Sequence, residues 1–123
     1  MITVLLVEQD PSLQEEYLSI LHDLDLNTEL CNRVGKAVER LRCFTYDALI
    51  VDFGVKGLNP KEVIKVLRKL SPKVPIIALT DKKGSIEKEM VEEGVFSCLV
   101  KPLKEKELLH VIGKAVNKKE SVH

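Results

Sequence analysis

The stretch YDALIVD at residues 46–52 decides the fold, because four apolar residues in succession lie between two aspartates. A short apolar run of this kind is typical of a strand that is buried on both faces of a sheet. Similar runs occupy residues 2–7, 76–79 and 96–100, and a weaker one occupies residues 28–31. We therefore expect five short strands.

Helical patterns fill the intervals between these runs. Asp10 precedes Pro11, and Asn59 precedes Pro60. Each pair combines a good capping residue with a proline suited to the first helical position, so a helix should begin at both places. Apolar residues then recur three and four positions apart, as on one face of a helix. Further helices are predicted over residues 35–43, 85–93 and 104–117.

Strands that alternate with helices predict a parallel sheet with right-handed crossovers and helices on both faces. We therefore expect an α/β domain of the flavodoxin-like class, a doubly wound (βα)5 fold with its five parallel strands in the order 2-1-3-4-5. The domain should occupy residues 1–117. Residues 118–123 are polar, and we expect them to fray or to begin a linker.

The bulk composition favours one small domain and argues against several functions. The chain has 123 residues, of which 45% are hydrophobic, and its 19 basic residues balance its 19 acidic ones. Balanced charge gives no footprint for nucleic acid or for a membrane surface. The apolar runs are far shorter than the ~20 residues that span a bilayer. Three scattered cysteines without a paired spacing suggest reduced thiols in a cytoplasmic protein.

Polar side chains follow the predicted strands where ligands bind in such a sheet, at the carboxyl ends. The first strand is followed by Glu8 and Gln9, and the third ends in Asp52. The fourth ends in Thr80, and the fifth is followed by Lys101. One edge of the sheet should therefore bring together carboxylates, a hydroxyl and an ammonium group.

This combination indicates phosphoryl chemistry. Two neighbouring carboxylates, Glu8 and Asp52, repel each other and favour a hard divalent cation, Mg²⁺ above all. A carboxylate in such a site is able to attack a phosphoryl group and form an acyl phosphate. The cation and Lys101 would offset the charge on the transferring oxygens, and Thr80 would hydrogen-bond one of them.

The same residues resemble the response-regulator receiver domain of bacterial two-component signalling. The resemblance covers almost the whole chain and is carried by four pieces in order, VLLVEQDP at 4–11, YDALIVD at 46–52, PIIALT at 75–80 and VKP at 100–102. It implies that Asp52 accepts the phosphoryl group. It also implies that Thr80 is the switch hydroxyl and that Lys101 pairs with phosphate. In many relatives the peptide bond that corresponds to Lys101–Pro102 is cis.

The resemblance also implies a magnesium site. Glu8 and Gln9 occupy the positions of the acidic pair, Asp52 is a shared ligand, and the backbone carbonyl of Gly54 faces the metal. Gln9 departs from the family, which usually has Asp there. A glutamine amide offers a carbonyl oxygen but no charge, so this substitution should weaken Mg²⁺ binding substantially.

Other positions depart from the family pattern as well, among them Lys56, Asp81 and Cys98. Lys56 stands where a proline is usual and adds positive charge near the site. Asp81 follows Thr80 where the family prefers a small residue, and its carboxylate is expected to repel an incoming phosphodonor. Cys98 stands where relatives often carry an aromatic switch residue, and a cysteine has no ring to swing inward.

Two functions are compatible with these residues. In the first, Asp52 takes a phosphoryl group from a histidine kinase or phosphotransfer protein in a phosphorelay and switches a partner surface. The domain would not be an enzyme beyond self-phosphorylation and self-dephosphorylation. In the second, motivated by Gln9, Asp81 and Cys98, it is a pseudo-receiver, an interaction or dimerisation module that works without phosphorylation. A homodimer could form through the face of the fourth helix, fifth strand and fifth helix, and exposure of Ile86, Met90, Leu108 or Ile112 would mark it.

Overall fold

The computed structural model describes residues 2–54, 58–81 and 85–120, with the side chains of 85 and 118–120 left aside. Strands and helices alternate along the chain. The elements are β1 (Thr3–Val7), α1 (Pro11–His22), β2 (Asn27–Cys31), α2 (Val34–Cys43), β3 (Ala48–Asp52), α3 (Pro60–Leu70), β4 (Ile76–Thr80), α4 (Ser85–Glu92), β5 (Ser97–Val100) and α5 (Glu105–Glu120). The sheet is parallel, in the order β2-β1-β3-β4-β5, which confirms the predicted fold class.

The two predicted helix starts are confirmed by their caps. The Asp10 side chain accepts the backbone N–H of Ser12 at 2.8 Å, and Pro11 is the first residue of α1. The Asn59 side chain accepts the backbone N–H of Glu62 at 3.3 Å before α3. Each cap satisfies one of the N–H groups that the first turn of a helix leaves without a partner.

The predicted end of the last helix is wrong. Helix α5 continues three residues past Asn117 and ends at Glu120. Residues 118–120 are two lysines and a glutamate, which are good helix formers with no breaker among them, so their polarity does not stop the helix. Residues 121–123 lie outside the described part of the chain.

The core has two halves, one on each face of the sheet. Alternate residues of each strand point to opposite faces. Leu5 and Val51 therefore pack with α2, α3 and α4, whereas Leu6 and Ile50 pack with α1 and α5. Strands β3 and β4 are buried throughout because both halves cover them.

Exposed apolar residues on α4 and α5 were predicted to mark a dimer face. The structure shows that these residues are covered. Met90 and Ile112 are 0% exposed and Leu108 is 1% exposed, and Ile86 packs partly buried against the core. Their spacing on α4 and α5 suggested more apolar residues than one face of the sheet can cover, but the sheet and the neighbouring helices cover all four.

In the described ranges no helix is long and apolar enough to cross a membrane.

Candidate functional site

The register of the sheet brings the predicted site residues to one edge. Val7 of β1 lies opposite Val51 of β3, and Thr80 of β4 lies opposite Val100 of β5. The strands therefore end at nearly the same level, and the residues that end or follow them meet there. Glu8, Asp52 and Thr80 are 1%, 4% and 2% exposed, and they are the buried polar or charged side chains of the described residues.

Asp52 accepts hydrogen bonds from several neighbouring groups. Lys101 Nζ lies 2.6 Å from Asp52 Oδ2, and the backbone N–H of Gly54 donates to Oδ1 at 2.7 Å. Burial alone raises the pKa of Asp52, but hydrogen bonds from Glu8, Lys101 and Gly54 outweigh burial and hold that pKa below its ordinary value. Asp52 is therefore a buried anion paired with an ammonium group, the state in which a carboxylate is a nucleophile.

Glu8 is the other acid of the site. Its Oε2 accepts the backbone N–H of Asp10 at 3.1 Å, whereas its buried Oε1 meets no donor of another described residue. Burial first, and then the hydrogen bond that a protonated Glu8 donates to Asp52, raise the pKa of Glu8 to about 8. At neutral pH Glu8 therefore favours its protonated form, which donates a hydrogen bond to Asp52.

The donor set fits Mg²⁺ at this pair of carboxyl groups. Mg²⁺ binds through one or two carboxylates and keeps several waters, and the buried Oε1 of Glu8 is an oxygen that no donor of another described residue reaches. An ideal Cβ at Gly54 would lie 2.8 Å from Lys101 Nζ and 3.0 Å from Asp52 Oδ1, so the absent side chain keeps the mouth of the site open. Glu8, Asp52 and the Gly54 carbonyl are the groups that would hold the ion.

Gln9, the other residue predicted at the metal site, stands apart from these groups. It is exposed and lines a small cavity beside Asp52. In the part of the chain that the structure describes, no three acidic, histidine or cysteine side chains form a group that could hold a metal ion. Gln9 brings an amide rather than a carboxylate to this edge of the sheet, and so adds no acid to Glu8 and Asp52.

The other predicted residues take different places around the site. The backbone carbonyl of Thr80 accepts the N–H of Lys101 at 2.8 Å, and the Lys101–Pro102 peptide bond is cis. Asp81 is exposed, and its Cγ is 3.7 Å from the ideal Cβ of Gly54, so its carboxylate borders the same opening. Lys56 lies outside the described residues.

Cys98 is a packing residue in this structure. It lies on β5 and packs, partly buried, against the core beside α2, α3 and α4. Burial, followed by the charge of Glu87, raises the pKa of its thiol to about 11. It therefore has little thiolate character at neutral pH.

Sequence reasoning missed three residues near the site. The Gln14 side chain donates to the Glu8 carbonyl at 2.7 Å and anchors the loop after β1. Tyr17 is buried, and its pKa is raised by burial and then by the negative charges of Asp52 and Glu8. Arg33 lines the cavity beside Asp52. The helical position of Gln14, one turn after the Asp10 cap, is the one signal that pointed toward the loop.

Fold and site together define a small doubly wound α/β domain with a lysine-paired acidic centre at the edge of its sheet. The family profile described as response regulator receiver domain matches residues 4–113. The chain is 30% identical over 117 residues to the autoinducer 1 sensor kinase/phosphatase LuxN of Vibrio campbellii, covering 94% of this chain and 14% of LuxN. It is 32% identical over 107 residues to the DNA-binding response regulator MtrA of Mycolicibacterium smegmatis, covering 86% and 46%.

Solved structures of receiver domains share the fold of this chain. The receiver domain of sensor histidine kinase PA1611 from Pseudomonas aeruginosa, which holds a magnesium ion in its active-site cleft, superposes with a TM-score of 0.83 at 27% identity, covering 94% of this chain and 98% of that one. A response regulator receiver domain protein from Methanospirillum hungatei shares the fold with a TM-score of 0.91 at 17% identity, covering 100% and 99%.

The family match covers most of the chain, so the chain belongs to the response regulator receiver domain family of two-component systems. It spans less than half the length of LuxN or MtrA. Its relatives therefore carry this domain within longer proteins.

Proposed function

We propose that this domain accepts a phosphoryl group on Asp52 from a histidine kinase or phosphotransfer protein and switches a partner surface in response. One observation carries the proposal: Asp52 is a buried anion held 2.6 Å from Lys101, beside a Glu8 oxygen that meets no donor among the described residues. Burying the carboxyl groups of Asp52 and Glu8 side by side costs free energy, so their presence at this edge of the sheet supports a functional role.

The transfer would proceed at Asp52. A carboxylate oxygen forms a bond to phosphorus while the bond between phosphorus and the donor histidine nitrogen breaks, and the electron pair leaves with the imidazole. The product is an acyl phosphate. Lys101 already lies within hydrogen-bond distance of Asp52 and would follow the charge to a phosphoryl oxygen. The buried Thr80 at the end of β4 would hydrogen-bond a second oxygen and draw its loop inward.

Bound Mg²⁺ would supply positive charge that offsets the oxygens of the transferring group. Glu8, Asp52 and the Gly54 carbonyl would hold it, and Glu8 would give up its proton when the metal binds. The magnesium ion in the related receiver of PA1611 supports this assignment. Because Gln9 brings no charge, we infer that this site binds Mg²⁺ more weakly than one with three acids.

The partner class follows from the relatives. LuxN is a sensor kinase/phosphatase and PA1611 is a sensor histidine kinase, so a histidine kinase is the phosphodonor that fits a receiver of this family. The domain would act without turnover of a separate substrate, beyond phosphorylating and dephosphorylating itself. We place it with its kinase in the cytoplasm, as a domain that contacts proteins rather than nucleic acid.

The deciding experiment is intact mass after incubation with Mg²⁺ and acetyl phosphate. We expect an adduct of about 80 Da on the wild-type chain. Asp52→Asn should show none, because its amide is not a nucleophile. Absence of the adduct from the wild type across donor and metal concentrations would contradict phosphorylation. Full partner binding by Asp52→Asn would then favour the pseudo-receiver, which Gln9 and the missing third acid among the described residues support.

A metal titration separates a weakened site from an abandoned one. Gln9→Asp should bind Mg²⁺ more tightly than the wild type, since it adds a carboxylate next to Glu8. Asn32→Asp is the matched control, because it adds the same charge to the same cavity from the other side. Equal gains from both variants would mean that charge in general, rather than a ligand at position 9, controls the metal.

A further inference from the structure

A small cavity adjoins the phosphoacceptor on the side of β2. It has a volume of about 60 Å³ and lies between the loops that follow β1 and β2 and the end of β3. Asp52 lines it, and its polar rim consists of Gln9, Asn32 and Arg33, with Val7 and Leu58 as apolar walls. A group that is attached to Asp52 on this side therefore enters a space whose rim offers amide and guanidinium donors.

Arg33 has no evident role in the fold. It is the N-cap residue of α2, yet its side chain makes no cap hydrogen bond, whereas capping residues are usually Ser, Thr, Asp or Asn. Among the described residues it has no ion pair or hydrogen bond through its side chain. Its exposed guanidinium is thus a positive charge without a carboxylate partner in the described part of the chain, on a residue that lines the same cavity as the buried Asp52.

Gly35, which has no side chain, leaves the space that the Arg33 guanidinium occupies. An ideal Cβ at Gly35 would lie 2.5 Å from Arg33 Nη1, so the guanidinium lies against the bare Cα of Gly35. The side chain consequently lies across the first turn of α2, whose first residue, Val34, also lines the cavity. Any larger residue at position 35 would force the guanidinium to move.

We propose that Arg33 binds an oxygen of the phosphoryl group on Asp52 and thereby offsets charge that a weakened cation site leaves uncompensated. The inference rests on the proposed function. A phosphoryl group brings strong acceptor oxygens and about two negative charges into a site where Gln9 stands in place of a metal-binding acid. A guanidinium suits such oxygens, because its planar donors match the geometry of phosphate. Arg33 is in this sense a phosphate ligand rather than a nucleophile or a base.

The test uses beryllofluoride, a stable mimic of a carboxyl-bound phosphoryl group, titrated calorimetrically into the full chain at saturating Mg²⁺. Arg33→Ala should bind beryllofluoride about tenfold more weakly or worse, the loss typical of a hydrogen bond to a charged group. Arg33→Lys should recover part of the affinity, because it restores the charge without the planar donors. Arg42→Ala, at the exposed end of α2, is the matched control and should bind as the wild type does.

A second readout separates a phosphate ligand from a structural residue. Without beryllofluoride, Arg33→Ala should bind Mg²⁺ as tightly as the wild type or more tightly, because a neighbouring positive charge has been removed. Parallel loss of Mg²⁺ and beryllofluoride affinity would reveal a structural defect and overturn the inference. Unchanged beryllofluoride affinity would overturn it as well, with Asp52 phosphorylation still standing. A wild type that binds no beryllofluoride would overturn both proposals.

Discussion

Replacing Glu8 by Gln is expected to stabilise the metal-free protein, and the gain should grow with pH. Glu8 is 1% exposed, and burial, followed by the hydrogen bond with Asp52, raises its pKa from 4.5 to about 8. Below the pKa of the unfolded chain, Glu8 is protonated in both states and its titration does not change the free energy of unfolding. As pH rises from the unfolded pKa to the folded pKa, the unfolded chain releases this proton while the buried Glu8 keeps it. The free energy of unfolding therefore falls over this pH range.

The magnitude follows from the two pKa values of Glu8. Each pH unit between them changes the free energy of unfolding by about 1.4 kcal/mol. At pH 7 the wild type has therefore lost up to about 3 kcal/mol relative to a chain without this titration. The Gln amide keeps a donor for Asp52 but stays a buried polar group. We therefore expect a net gain for Glu8→Gln of at least about 1 kcal/mol at pH 7.

The assay is urea denaturation with a metal chelator, followed by far-UV circular dichroism from about pH 5 to about pH 8. The stability difference between Glu8→Gln and the wild type should be small at the lower pH and should widen steadily. Glu15→Gln, on the exposed side of α1, controls for the loss of a carboxylate. Added Mg²⁺ should stabilise the wild type and not Glu8→Gln. A difference that stays constant with pH, or a less stable variant at pH 8, would refute the reasoning.

Three other changes test the fold by the same denaturation assay. Gly113→Ala in α5 should stabilise by about 0.5–1 kcal/mol, because its new Cβ meets no heavy atom within 4 Å and the unfolded chain loses freedom. Gly94→Ala should destabilise by about 1–2 kcal/mol, because Gly94 has a φ of 96° and a Cβ would lie 3.1 Å from Arg68 Nε. Hydrogen bonds from Tyr46 and then Arg40 hold the pKa of Glu29 below its ordinary value, so they stabilise the fold above about pH 4.5 and lose that effect as pH falls. Tyr46→Phe should therefore cost about 1 kcal/mol at pH 7 and less in acid, and equal losses at both would contradict this.

The fold was predictable because its signals are local. The apolar run that ends at Asp52 and the caps at Asp10 and Asn59 act within a few residues, and a parallel sheet then brings strand ends together. The location of Asp52 and Lys101 at one edge of the sheet needed no more than this. Their 2.6 Å contact follows from adjacent strand ends rather than from any feature of either residue alone.

The remaining features depend on side-chain positions that no spacing encodes. Glu29, Arg40 and Tyr46 form one hydrogen-bonded group although they are up to 17 residues apart, and no motif connects them. Met90 was expected to be a candidate for exposure, but whether a helical residue is covered depends on how its helix packs against neighbours. The place of Arg33 at the cavity that Asp52 lines depends likewise on the short connection between β2 and α2.

The protonated form of Glu8 suggests a second effect of Gln9, on the stability of the metal-free protein. The metal-free site contains a proton-holding Glu8, an anionic Asp52 and the Lys101 ammonium, so its charges nearly cancel without a cation. A third acid at position 9 would add repulsion to that arrangement and would make the metal-free protein less stable. The Gln9→Asp variant should therefore bind Mg²⁺ more tightly while unfolding at lower urea concentration in the presence of chelator. Tighter metal binding without that loss of metal-free stability would mean that a carboxylate at position 9 is not repelled measurably by Asp52.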